Sequence, residues 1–219
     1  MKKENKGINR LLIMGFIIFA AVFLAFMNAE PRPLGWLVKT IPIGCLALLV
    51  FFNMPGRRML GLGLVFSGIG DILLELPGEG LFQAGMGAFI LAHLCYISVF
   101  LRKPRLTLAR AVVLVAMVVF SLDFAARLYP ALGPMKLPVF VYLGVILAMG
   151  ASACLGGYTN GIIISGALVF IISDALIAYP MFVKPIANSG FLVMATYYAA
   201  QALLTYGTLK MKMKRSIRL

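Results

Sequence analysis

Apolar residues dominate eight long runs of this chain, spanning roughly 11–28, 34–52, 59–76, 82–101, 107–126, 137–154, 161–179 and 189–209. Each is close to the ~20 residues an α-helix needs to cross the hydrocarbon of a bilayer. Short connections rich in Pro and Gly separate them, among them "EPRPLG", "NMPGRR", "LPGEG" and "YPALGP", which are turn compositions. The pattern predicts an all-α membrane protein, an eight-transmembrane-helix bundle forming a single integral membrane domain over 1–219. Tails of about 1–10 and 210–219 flank it. The first run follows a basic stretch as a signal peptide would, but it is longer than a usual signal core and "FMNAEP" lacks a small-x-small cleavage site. It reads as an uncleaved first helix.

Composition agrees. The chain is 62% hydrophobic and 12% charged with a mean hydropathy of +1.00, against roughly 25% charged in a soluble domain. The formal net charge of +13 could suggest nucleic acid, yet no basic stripe interleaved with aromatics and no nucleic-acid-binding motif occurs. The positive charges instead sort by side. Lys2, Lys3, Lys6, Arg10, Arg57, Arg58, Arg102, Lys103, Arg105, Arg110, Lys210, Lys212, Lys214, Arg215 and Arg218 fall on one side, and Arg32, Arg127, Lys136 and Lys184 on the other. Eight spans with both termini cytoplasmic satisfy the positive-inside rule; seven or nine would not. A multi-pass protein of a bacterial inner membrane is expected. Cys45, Cys95 and Cys154 sit in or beside apolar runs and imply no disulfide framework. Glycines crowd the third run (Gly61, Gly63, Gly68, Gly70) and the fourth (Gly85, Gly87), as close helix packing would require.

Against this background the intramembrane polar residues stand out: Lys39, Asp71, Glu75, His93 and Asp174, with Tyr96, Tyr142, Tyr197, Tyr198 and Gln201. An ionisable group inside a membrane helix costs about 2.5–3.5 kcal/mol on insertion scales, so such groups usually face the bundle interior and work there. At 1.5 Å per residue Asp71 and Asp174 lie at matching depth, roughly 18–20 Å from the cytoplasmic end. The same rise places Lys39, Tyr142, Tyr197, His93 and Gln201 at depths from which all could share one cavity opening toward the outer leaflet. Asp71 and Glu75, and Tyr197 and Gln201, are i, i+4 pairs on one face; His93 and Tyr96 are i, i+3. Blander readings stay open for several. Glu75 could be solvated at a helix end, Lys39 could snorkel, His93 could be a packing residue and the tyrosines an interfacial belt.

A faint internal echo accompanies this. Asp71 and Asp174 are 103 residues apart, as are Lys39 and Tyr142, and each aspartate has Ile two residues before and Leu two after. The echo fits two parallel four-helix repeats, or a chance likeness between apolar sequences.

Two carboxyls close together in low dielectric do not both ionise cheaply, so one proton is shared between them. That supplies a general acid and a general base in one place. One histidine and two carboxylates on three helices fit no firm metal-ligand spacing, and no metal or other cofactor is expected. No G-x-S-x-G, H-E-x-x-H or phosphate-cradling glycine motif is present.

Four stretches together resemble the lysoplasmalogenase (YhhN-like) family of membrane proteins: "KTIP" (39–42), "FSGIGDILL" (66–74), "FQAGMGAFILAHLCYISVF" (82–100), and "GALVFIISDALIAY" (166–179) followed by "TYYAAQALL" (196–204). The resemblance implies eight helices and hydrolysis of the vinyl ether bond of lysoplasmalogens, giving a fatty aldehyde and a glycerophospho-head group. It implies Asp71 and Asp174 as the catalytic pair, with Lys39, His93, Tyr96, Tyr197 and Gln201 at further family-like positions. Tyr142 and Glu75 join these as candidate substrate-binding residues by depth and spacing. The expected partners are a lysophospholipid substrate and membrane lipids, with no nucleic acid; the oligomeric state is open. Two other functions compete. "GIGD" matches the G-x-G-D of intramembrane aspartyl proteases, but no Tyr-Asp motif precedes it and no Pro-Ala-Leu lies near the C-terminus. A proton-coupled transporter would also use buried carboxylates and repeats, but would be expected to break matching helices with Gly or Pro.

Overall fold

A computed structural model of the chain describes residues 6–29 and 34–211. The charge assignments made for Lys2, Lys3, Arg32 and the tail beyond Met211 therefore lie outside the described residues. Eight α-helices follow one another: α1 (Lys6–Phe26), α2 (Gly35–Asn53), α3 (Arg58–Glu75), α4 (Leu81–Phe100), α5 (Leu108–Leu128), α6 (Lys136–Leu155), α7 (Gly161–Phe182) and α8 (Ser189–Leu209). Most lie within two or three residues of the apolar runs. The larger difference is at α1, which begins at Lys6 rather than near residue 11. Hydropathy marks only what hydrocarbon covers, whereas helical hydrogen bonding continues into the polar layer beyond it.

Six of the eight are long and apolar enough to cross a membrane; α3 and α8 are the two that fall short. The reason is chemical. Helix α3 carries Arg58, Asp71 and Glu75 within its 18 residues, and α8 carries Tyr197, Tyr198, Gln201, Thr205 and Thr208. Asp71 on α3 and all five of these residues on α8 are buried, whereas Arg58 is exposed at the start of α3. The peripheral helix α5 shows the opposite arrangement: Val112, Val115, Val119 and Leu122 form an exposed apolar stripe. In a bilayer such a stripe meets lipid tails, so its exposure costs nothing.

Neighbours pack as α1–α2–α3–α4 in the first half and α5–α6–α7–α8 in the second, joined where α4 meets α6 and α8 meets α2. Small residues set the two tightest pairs. A Cβ on Gly70 of α3 would come within 2.6 Å of the Phe89 ring on α4, and one on Gly85 within 2.8 Å of Leu74. In the second half, a Cβ on Gly166 of α7 would sit 3.0 Å from Leu204 of α8. Helices α3 and α7 begin at Arg58 and Gly161, the same 103-residue offset that separates the two aspartates.

Two arginines tie the end of the bundle at which α2, α4, α6 and α8 finish. Arg57 donates to the carbonyls of Thr208 and Met211, capping α8. Arg110 of α5 donates to the carbonyls of Gly156 and Thr159, both at 2.6 Å. Helix C-terminal carbonyls have no partner within the helix, and a guanidinium supplies several donors at once. At the same end Asn9 and Asn53 exchange amide hydrogen bonds of 2.9 and 2.8 Å, locking α1 to α2.

Candidate active site

The opposite end of the bundle, where α3 and α7 finish and the even-numbered helices begin, holds the polar residues singled out by the sequence. Asp71 is one turn from the end of α3 and almost wholly buried. The Tyr197 hydroxyl of α8 donates to its Oδ2 at 2.7 Å. Asp174 of α7 accepts from the Tyr142 hydroxyl of α6 at 2.5 Å. Behind Tyr142 stands His93 of α4, its Nε2 3.4 Å from the tyrosine oxygen and 3.9 Å from Asp174 Oδ2. Since the Tyr142 proton points at the carboxylate, its oxygen is left to accept, which assigns the donated hydrogen to His93 Nε2.

The two carboxyls are electrostatic neighbours: the Asp71 charge acts on both Asp174 and Tyr142. Aromatic rings bridge the ground between them. Phe170 lies edge-on to His93 at 4.9 Å and to Tyr197 at 5.7 Å, and Phe89 lies edge-on to Tyr197 at 5.9 Å. A layer deeper, the Tyr96 hydroxyl donates to Gln201 Oε1 at 2.9 Å and lies 3.2 Å from Ser67 Oγ. Tyr96 and Gln201 are completely buried.

Lys39 does not snorkel. Its Nζ is 3.1 Å from Glu75 Oε2, and both charges act on Asp71. Its backbone carbonyl accepts from Tyr198 at 2.7 Å, and Tyr198 in turn is packed edge-on by Phe16 and Phe23 of α1.

Two of the cavities among the described residues reach this cluster. The wider one, about 470 Å³, has the Lys39–Glu75 pair on its wall together with Phe23, Met27, Pro180 and Met194. The narrower, about 50 Å³, is lined by apolar side chains including Phe82, Met86, Phe89 and Phe182, with Asp174 and Tyr142 as its polar groups. Leu74, Phe82 and Ile177 belong to both and form the shared wall. Asp71, His93, Tyr96, Tyr197 and Gln201 line neither of the two.

Some of the cluster was not legible beforehand. Ser67 was within reach of inference, lying one turn before Asp71 on the same face. Phe89 and Phe170 carried no signal among sixteen phenylalanines, since only the packing distinguishes a wall residue from a lipid-facing one.

Apolar spans around a cluster of buried polar groups, with two cavities beside it, define a polytopic membrane protein with an intramembrane polar site. A profile of the YhhN family matches residues 34–208, and the chain belongs to that family. It is 36% identical over 193 residues to the lysoplasmalogenase TMEM86A of Bos taurus, covering 81% of this chain and 79% of that one. To the human lysoplasmalogenase TMEM86B it is 32% identical over 202 residues, covering 89% and 85%. To the lysoplasmalogenase of Mycobacterium tuberculosis it is 34% identical over 157 residues, covering 69% and 60%. No solved structure matches significantly.

Proposed function

We propose that the chain is a lysoplasmalogenase, a membrane hydrolase that cleaves the vinyl ether bond of lysoplasmalogen-type lysophospholipids. The observation that carries this is the placement of Asp174 in an apolar slot abutting a charged vestibule, in a chain whose curated relatives bear that name over most of its length. The vestibule suits a phosphorylated head group, with Lys39 as the cation that meets its phosphate, and the slot suits one hydrocarbon chain. With both termini cytoplasmic in a bacterial inner membrane, as the basic residues favour, the cavities open toward the outer leaflet.

Asp71 and Asp174 are proposed as the acid–base pair. One carboxyl, protonated, gives its proton to the alkenyl carbon β to the ether oxygen, leaving an oxocarbenium ion. The other, ionised, stabilises that cation and takes a proton from water as the water oxygen bonds to it. The roles then reverse. The newly protonated carboxyl protonates the departing glycerol oxygen while its partner takes the hemiacetal hydroxyl proton. Aldehyde and glycerophospho-head group leave, and the pair is reset. Tyr197 and Tyr142 hold the two carboxyls; His93, Tyr96 and Gln201 support them from behind.

A transporter reading is less well supported, because α3 and α7 run as unbroken helices through both aspartates. A protease reading meets an apolar slot that offers a peptide backbone few partners. The test is mass spectrometry of aldehyde released from a lysoplasmalogen by the purified protein. Wild type is expected to release it, and Asp71→Asn and Asp174→Asn are each expected to lose turnover while still folding. Full activity in either variant refutes the acid–base pair.

A further inference from the structure

Hydrolysis consumes water, and Asp71 lines neither of the two cavities that a lipid would fill. Polar groups reach it from the other side instead. Helix α8 carries a polar file running from the aspartate toward the opposite end of the bundle: Tyr197, Gln201, Thr205 and Thr208, spaced at i, i+4, i+8 and i+11 on one side of the helix. All four are buried. Tyr197 donates to Asp71. Gln201 Oε1 accepts from Tyr96, and its Nε2 completes no hydrogen bond among the described residues.

Thr205 is the anomaly. Threonines in helices commonly turn the hydroxyl onto a carbonyl one turn back. Thr196 and Thr208 of the same helix do so, at 2.6 Å to Leu192 and 2.7 Å to Leu204, and Thr40 of α2 does so at 2.7 Å to Trp36. Thr205 Oγ1 has no partner among the described residues, although the residue is 1% exposed. Buried polar groups nearly always find one, and two orphans a single turn apart are what a bridging water satisfies.

We propose that Gln201 Nε2 and Thr205 Oγ1 hold a buried water behind the Tyr197–Asp71 pair, and that this position supplies the water consumed in the reaction from the side away from the lipid. The supply role rests on the hydrolase reading above; the water site itself does not. Thr205 is then a positioning residue that touches neither substrate nor the reacting atoms.

The test compares Thr205→Ser, Thr205→Val and Thr205→Ala in the purified full chain, by turnover of a lysoplasmalogen and by Tm in detergent. Serine keeps the hydroxyl and is expected to retain kcat within about threefold and an unchanged Tm. Valine keeps the shape but not the hydroxyl. It is expected to lower kcat at least tenfold with KM within twofold, and to lower Tm by about 2–4 °C, since the water loses a partner. Alanine leaves room for a second water and is expected to retain more activity than valine. A valine variant as stable as wild type or more so means that the hydroxyl was dry, and overturns the site. An unchanged kcat in valine, or valine outperforming alanine, makes Thr205 a packing residue and overturns the supply. Should wild type release no aldehyde, the hydrolase reading and the supply role fall together, and the Tm comparison still decides the water site.

Discussion

Tyr142→Phe is the most informative single change outside the two aspartates. It removes one oxygen and leaves the ring that packs against His93 at 5.8 Å, so the fold is expected to survive. What disappears is the donor 2.5 Å from Asp174 Oδ2 and the acceptor 3.4 Å from His93 Nε2. The histidine lies 3.9 Å from the carboxylate, too far to replace the lost bond without moving. A hydrogen bond to a charged group is worth about 1.5–3 kcal/mol. If that interaction holds Asp174 in its reactive geometry, kcat should fall about 10- to 150-fold at 1.4 kcal/mol per decade. KM should move little, because the Lys39 vestibule is untouched. Aldehyde release from lysoplasmalogen in detergent micelles, followed under saturating and subsaturating substrate, separates the two constants. A variant whose kcat stays within twofold of wild type, with Asp174→Asn inactive in the same assay, would show that the tyrosine merely packs.

Other changes probe other parts of the site. Lys39→Met is expected to raise KM about tenfold or more and leave kcat nearly unchanged, with Lys39→Arg recovering most of the affinity; a KM equal to wild type would remove Lys39 from head-group binding. Gly70→Ala puts a methyl against the Phe89 ring and 3.3 Å from the Gly85 carbonyl, an overpacking of about 1–3 kcal/mol. It should lower both Tm and turnover, because Phe89 walls the slot and braces Tyr197; a Tm equal to wild type would mean that the ring yields freely.

Much of the fold was readable from the apolar runs, because in a bilayer span length and hydropathy are set by the solvent rather than by partners. The exceptions are instructive. Helices α3 and α8 fall short of the other spans because they carry several of the interior polar groups, whereas α7 keeps Asp174 within one of the most apolar helices. Depth counting placed Asp71, Asp174, Lys39 and Tyr142 at the right end of the bundle, since rise per residue is fixed. It could not foresee that Lys39 would pair with Glu75, which depends on how α2 and α3 rotate about their axes. Nor could it foresee that Leu74, Phe82 and Ile177, ordinary apolar residues until packed, would line both cavities. Thr205 attracted no notice for the same reason: a threonine in a helix is unremarkable until its hydroxyl is seen to lack the usual carbonyl.

The narrow slot has a consequence for the surroundings as well as for the substrate. A hydrolase dissolved in lipid is steeped in molecules resembling what it consumes, and most of them carry two chains. With one tail in a slot bounded by Phe82, Phe89 and Phe182, the second chain of a bilayer lipid would have to share the vestibule with its own head group. On the proposed placement a two-chain lipid is a poorer fit than a single-chain one.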